Sequence, residues 1–214
     1  VGQYALDEGL GIDGVQVTQQ RTAAREIGCH GDLDDPILPI GDCTWSAVNT
    51  TGLILLVGDS HAVSIADVVI EAGNQAGYDV AVQTRSLCPF QTRRIKRRGC
   101  ANYQRQTLAL VQTLQPEIVI IANRSPSYTL TPNGDSPYTV VNNDDSIATS
   151  QSDALIAWED GMTRIIDQID AARTRIIIVE TVPEFPGATG TNTISIFRPK
   201  GDPLDLDLQT VAAR

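Results

Sequence analysis

The sequence predicts an α/β fold, a three-layer α/β/α sandwich with a parallel β-sheet between two layers of helices. Three observations predict it. The short, continuous apolar runs at 53–57, 118–122 and 176–179 have the length of strands buried on both faces. Stretches of helical periodicity lie between them, and strand–helix alternation of this kind builds a parallel sheet covered on both sides. The chain of 214 residues, 42% hydrophobic and 20% charged, is long enough for one sizeable core.

In chain order, residues 1–51 carry little periodicity, and 31–41 hold acidic residues and two prolines, so this part reads as an irregular N-terminal extension; 52–214 reads as the α/β domain. The strand at 53–57 runs into Gly58-Asp59-Ser60 and a helix over 61–76 that ends at Gly77. A second strand follows at 79–83. Next come a basic loop and a helix over about 101–114, stopped by Pro116, and then a third strand at 117–122. Residues 124–150 are rich in Ser, Thr, Asn, Asp and Pro and read as a long surface excursion. Leu155, Trp158, Met162, Ile165, Ile166 and Ile169 recur at helical spacing and give the next helix one apolar face. A fourth strand is expected at 175–180, and 182–214 is punctuated by Pro and Gly.

The net charge of -10 argues against a nucleic-acid binder, which needs clustered Lys and Arg over a face. Arg93, Arg94, Lys96, Arg97 and Arg98 are the exception; they read as a solvated loop, with contact to an anionic surface as the alternative. Neither cysteine pair, Cys29 with Cys43 or Cys88 with Cys100, has the C-x-x-C spacing of zinc or redox sites. Four cysteines allow three connectivities. Local pairing would close two otherwise floppy loops and places the chain in an oxidising, extracytoplasmic compartment, with four buried free thiols as the alternative. Only His30 and His61 are available as imidazoles, so no metal site with several histidines is expected and no cofactor is implied.

In a parallel α/β sheet the ligand site lies at the carboxyl ends of the strands. Ser60 stands there, where the first predicted strand turns into a helix. Its hydroxyl is presented above the sheet, and its N–H joins the positive helix end, which suits a nucleophile whose intermediate is an oxyanion. Capping of the helix is the simpler role for such a serine. Asp59 reads as a residue that ties the turn together. His61 adjoins Ser60 on the same helix, where neighbouring side chains diverge, so it does not serve as base.

The block Leu56-Val57-Gly58-Asp59-Ser60-His61-Ala62 resembles the first block of the SGNH (GDSL-like) hydrolases, in the form seen in the SGNH domains fused to bacterial acyltransferase-3 membrane proteins. The upstream cysteine pair, the Leu87-Cys88-Pro89 turn, Cys100, Ile121-Ala122-Asn123-Arg124 and Thr181-Val182-Pro183 agree with it in order and spacing, from Cys29 to Pro186. The resemblance implies a flavodoxin-like sheet and assigns Ser60 as nucleophile, Asn123 as side-chain donor to the oxyanion and a backbone N–H after the second strand, for which Ser86 stands in place of the usual glycine. It implies a membrane acyltransferase-3 partner domain N-terminal to Val1 that delivers an acyl group, a cell-envelope glycan or glycolipid acceptor, and a position outside the cytoplasm.

One departure is large. The family's general base comes from an Asp-x-x-His block near the C-terminus, after a fifth strand, and neither His30 nor His61 has Asp three residues before it. Four strands are counted where the fold has five. The expectation is therefore an O-acyl transferase or esterase domain whose final strand, with the base and its Asp, falls beyond this chain, so that these 214 residues are expected to be inactive on their own. The competing expectation is a non-catalytic glycan-binding module with a degenerate site; a remote third is a metallophosphoesterase built on the Asp59/His61 pair.

Overall fold

The computed structural model describes residues 22–32, 35–93, 95, 99–129, 140–141, 146–169 and 173–180. The chain separates into two units, and the described residues all belong to the one spanning Thr22–Thr181. Its elements are α1 (Ala23–Glu26), β1 (His30–Gly31), a 3-10 turn (Ile40–Cys43), β2 (Thr44–Trp45), β3 (Gly52–Gly58), α2 (Ser60–Ser64), α3 (Ala66–Gln75), β4 (Tyr78–Arg85), α4 (Cys100–Leu114), β5 (Ile118–Ala122), α5 (Ser125–Thr129), α6 (Gln151–Asp167) and β6 (Arg175–Val179). The sheet runs β1-β4-β3-β5-β6, all parallel, and β2 pairs antiparallel with β4.

Alternation along the central strands feeds two cores at once. Ile54 and Leu56 of β3 and Val80 and Val82 of β4 face Ala24, Ala62, Val63 and Ala66 of α1 to α3. Leu55, Val57, Ala81, Val119 and Ile121 point the other way, onto Val111 of α4 and Ile165 of α6. A third cluster, built on Cys88, Cys100, Tyr103, Tyr128, Val140 and Ala157, brings together residues of the β4–α4 loop, α4, α5 and α6.

Several sequence expectations are corrected. Residues 22–51 are not an irregular extension: both of their strands pair with the outer edge of β4, β1 at His30↔Thr84 and Gly31↔Arg85, β2 at Thr44↔Ala81 and Trp45↔Val80. Two-residue strands are too short to show a period of two, so the sequence gives no sign of them. The single helix over 61–76 is two, broken at Ile65. The apolar stripe predicted for α6 faces the core except at its start: Ile165 and Ile169 are buried, Met162, Ile166 and Trp158 pack against the clusters, and Leu155 is 47% exposed, while the small residues Ala154, Ala157 and Gly161 are buried as well. Small residues let the helix lie close to the β4–α4 loop, where a Cβ on Gly161 would stand 2.1 Å from Gln91 Oε1. Arg93 is ion-paired with Asp160 of α6, not solvated; Arg94, Lys96, Arg97 and Arg98 lie outside the described residues. Both local disulfides are formed, Cys29–Cys43 and Cys88–Cys100. The residues after 180, Thr181-Val182-Pro183 among them, also lie outside the described set.

β3 is the hub, since the chain leaves it for β4 on one side and returns past it to β5 on the other. The ladder pairs Gly58 with both Thr84 and Ala122. Gly58 has φ +140°, and a Cβ there would stand 1.9 Å from the Ala122 carbonyl oxygen. The Gly58→Ala variant is expected to lose about 3 kcal/mol or more of stability, measured by urea unfolding, because neither the backbone angle nor the main-chain oxygen can give way.

Candidate active site

The site is built at the carboxyl ends of β3, β4 and β5, at the switch point where connections leave β3 in opposite directions. Asp59 caps α2 and is 1% exposed. Its Oδ1 accepts the His61 N–H at 2.8 Å, and its Oδ2 accepts both the Arg124 N–H and the Tyr128 hydroxyl at 2.8 Å. One carboxylate thus joins the β3–α2 turn to the segment after β5 and to α5, across the switch point. His61 Nδ1 stands 4.0 Å from Asp59 Oδ1, and its side chain is 40% exposed.

Below the turn, the buried Tyr103 hydroxyl accepts the Gly58 N–H at 3.1 Å and lies 2.9 Å from the Gly58 and Gln83 carbonyl oxygens, tying β3 to β4. Burial pushes its phenol far above the ordinary range, so it stays a neutral bridge. Ser60 follows as the first residue of α2, half-buried, and among the described residues neither its hydroxyl nor its N–H has a protein partner.

The other expected donors are placed differently. The Ser86 N–H donates to the Gly31 carbonyl at 2.9 Å, because β1 extends the sheet alongside it. That N–H is therefore not open to an oxyanion, which corrects the sequence assignment. The next residue, Leu87, takes the left-handed conformation at φ 58° that glycine would adopt with ease, and its N–H has no partner among the described residues. Asn123 is buried at the end of β5. Its Oδ1 accepts the Phe90 N–H at 2.9 Å, and its Nδ2 donates to the Phe90 carbonyl at 3.3 Å, with Met162 Sδ at 3.9 Å beside it. Its amide is in the first place a latch on the β4–α4 loop.

His30 has both ring nitrogens engaged at the end of β4 and the turn that follows it: Nδ1 lies 2.9 Å from Thr84 Oγ1 and Nε2 lies 2.9 Å from Ser86 Oγ. Ser86 Oγ donates to Asp32 Oδ1 at 2.7 Å. Burial lowers the His30 pKa from 6.5 to about 4, Arg25 and Arg85 act in the same direction, and Asp32 and Asp59 oppose them. Sequence reading missed His30, Tyr103, Leu87 and Tyr128. A lone histidine in an aperiodic segment carries no spacing signal, and the partners of the two tyrosines are distant in sequence.

The family model described as SGNH domain (fused to AT3 domains) matches residues 28–214. Among solved structures, the periplasmic domain of the lipopolysaccharide acetyltransferase of Salmonella ser. Paratyphi A is similar at 19% identity, over 64% of this chain and 47% of that one, with a TM-score of 0.45. The chain spans about half the length of that domain. No curated protein matches the chain.

Two stability effects follow from this geometry. Asp59→Asn puts an amide in reach of three donors and is expected to cost about 2–4 kcal/mol, with Tyr128→Phe costing nearer 1 kcal/mol, both read from urea unfolding. Between pH 6.5 and 4 the unfolded chain protonates His30 and the folded chain does not. Stability is therefore complete above pH 6.5 and falls as the pH drops, by up to about 3 kcal/mol. Unfolding at stepped pH checks this, the His30 contribution being absent in His30→Gln.

The match over residues 28–214, on a parallel sheet with Gly58-Asp59-Ser60-His61 at the carboxyl end of its hub strand, establishes that the chain belongs to the SGNH domains fused to AT3 domains.

Proposed function

We propose that the chain is the extracytoplasmic acyl-handling domain of an O-acyltransferase or esterase, with Ser60 as its nucleophile. The observation that carries this reading is the Ser60 hydroxyl and N–H, without a protein partner among the described residues, at the switch point above a turn that Asp59 anchors by three hydrogen bonds. Ser60 Oγ attacks the acyl carbonyl carbon and gives up its proton to a base. The resulting oxyanion collapses, expels the donor's leaving group and leaves an ester on Ser60. A glycan or glycolipid hydroxyl, or water, then attacks that ester and takes the acyl group.

The N–H groups of Ser60 and Leu87 are the assigned oxyanion donors. Asn123 joins them by exchanging its weak thioether contact for the oxyanion, while Phe90 keeps hold of the rest of its amide. His30, with both nitrogens engaged, is not the base. The family's base belongs to an Asp-x-x-His block, which these 214 residues do not contain. The two formed disulfides support an oxidising compartment, and the fusion that defines the family supports a membrane acyltransferase domain as donor of the acyl group.

Incubation of a longer chain that includes an Asp-x-x-His base with nitrophenyl acetate, followed by peptide mass mapping, tests the nucleophile. Acetyl is expected on Ser60, and release of nitrophenol should fall by about 10³-fold or more in Ser60→Ala. Equal acetylation of the chain in Ser60→Ala would remove Ser60 from the role. Absence of acetyl-Ser60 together with glycan binding that persists in Ser60→Ala would instead support a binding module.

A further inference from the structure

His30 sits 6% exposed on a two-residue strand, yet it does not belong to the apolar core. It bridges the hydroxyls of Thr84 and Ser86, alternate residues on one face of β4 and the turn that follows. The direction of the bonds follows from counting hydrogens. The Ser86 hydroxyl has one, and it goes to the Asp32 carboxylate 2.7 Å away. Ser86 Oγ must then accept from His30, which places the ring proton on Nε2 and leaves Nδ1 to accept from Thr84 Oγ1. Thr84, His30, Ser86 and Asp32 therefore form a one-way donor chain that ends on a negative charge, the arrangement in which such bonds are shortest and strongest.

This chain grips one end of a turn that is pinned again further on. Ser86 is held by Asp32, His30 and the Gly31 carbonyl, Cys88 by its disulfide to Cys100, and Phe90 by the Asn123 amide. Between the first two pins lies Leu87, in a backbone conformation that a leucine keeps only where its surroundings over-determine it. Gly58 and Thr84 are ladder partners, and Ser60 and Ser86 each stand two residues beyond them. The pinned turn therefore flanks the nucleophile on the neighbouring strand.

We propose that His30 is a positioning residue of the acyl-transfer site: by donating from Nε2 to Ser86 it holds the Ser86-Leu87 turn in the left-handed shape that presents the Leu87 N–H to the acyl oxygen carried by Ser60. This rests on the reading of Ser60 as acyl acceptor. His30 never touches the substrate. Arg25, Arg85, Asp32 and Asp59 supply the charges that bear on its ring, and the hydroxyl contacts on both nitrogens keep it a donor on one side and an acceptor on the other.

Nitrogen-15 NMR of the imidazole and the rate of acetyl-Ser60 formation from nitrophenyl acetate test the role on that same longer chain. The ring is expected to carry its proton on Nε2 and to stay neutral down to about pH 5. His30→Ala should slow acetyl-Ser60 formation about tenfold or more, the scale on which misplacement of a reacting group is felt. His30→Gln, whose amide offers one donor and one acceptor, should recover most of that loss. Ser86→Ala removes only the bridging oxygen; it should slow the step likewise and keeps the test open if His30→Ala fails to fold. A ring protonated on Nδ1, or His30→Ala and Ser86→Ala acetylated at Ser60 as fast as the parent, overturns the positioning role and leaves Ser60 as nucleophile. A parent chain that is never acetylated on Ser60 overturns both.

Discussion

The Asp59 carboxylate, buried and bonded to three donors from separate stretches of chain, is the constraint on which the rest of the site depends. A parallel sheet is open at its switch point, because the connections from the hub strand depart in opposite directions. Here the gap is closed by one side chain. Its Oδ1 shapes the start of α2, and its Oδ2 draws in the backbone after β5 and the α5 hydroxyl of Tyr128. Ser60 is displayed as a consequence, since the residue before it is fully committed and the one after it donates its N–H back to the same carboxylate. Gly58 makes the close approach possible from below, with the Ala122 carbonyl where a side chain would otherwise stand.

Around this anchor the polar groups are arranged so that buried charge is met by directed donors and buried neutral groups stay neutral. Tyr103 bridges β3 and β4 as an un-ionised phenol. His30 is held neutral by burial and by Arg25 and Arg85, against the pull of Asp32 and Asp59. The β4–α4 loop has little regular structure and is instead pinned by a disulfide, by the Asn123 amide and by the contact of Thr92 and Arg93 with α6. Supports of three kinds thus hold the loop that follows β4, the strand next to the one that leads into Ser60.

Much of this was legible before any coordinates. The strands at 53–57, 79–83, 117–122 and 175–180 correspond to β3, β4, β5 and β6; for β3 and β5 this is because a strand covered on both faces is written as an uninterrupted apolar run, whereas in β6, equally apolar in sequence, Ile177 and Ile178 are 39% and 50% exposed. The helices α4 and α6 stand near their expected places for the same kind of reason. What the pattern undervalued was the small residues: beside Ile165 and Ile169, Ala154, Ala157 and Gly161 are also buried, while Leu155 points to solvent. Ser60 and Asp59 were legible from their place at a strand-to-helix turn. The Ser86 N–H was misassigned because the strand that takes it, β1, is two residues long and leaves no trace in the periodicity.

The sequence by itself determined four parallel strands, the helices between them and the turn that carries Ser60, since each is encoded by neighbours a few residues apart; the pairing of the cysteines and the two short strands beside β4 came from the tertiary structure. Tertiary structure decided which polar groups meet. His30 and Ser86 are 56 residues apart in sequence, and Asp59 and Tyr128 are 69 apart, yet each pair shares a hydrogen bond. Such bonds are set by the register of parallel strands, and a parallel pairing is joined only through a long crossover. No local pattern specifies which hydroxyl, amide or carboxylate the register will bring within reach, and that is why the turn carrying Ser60 was visible in the sequence while the groups that hold its surroundings were not.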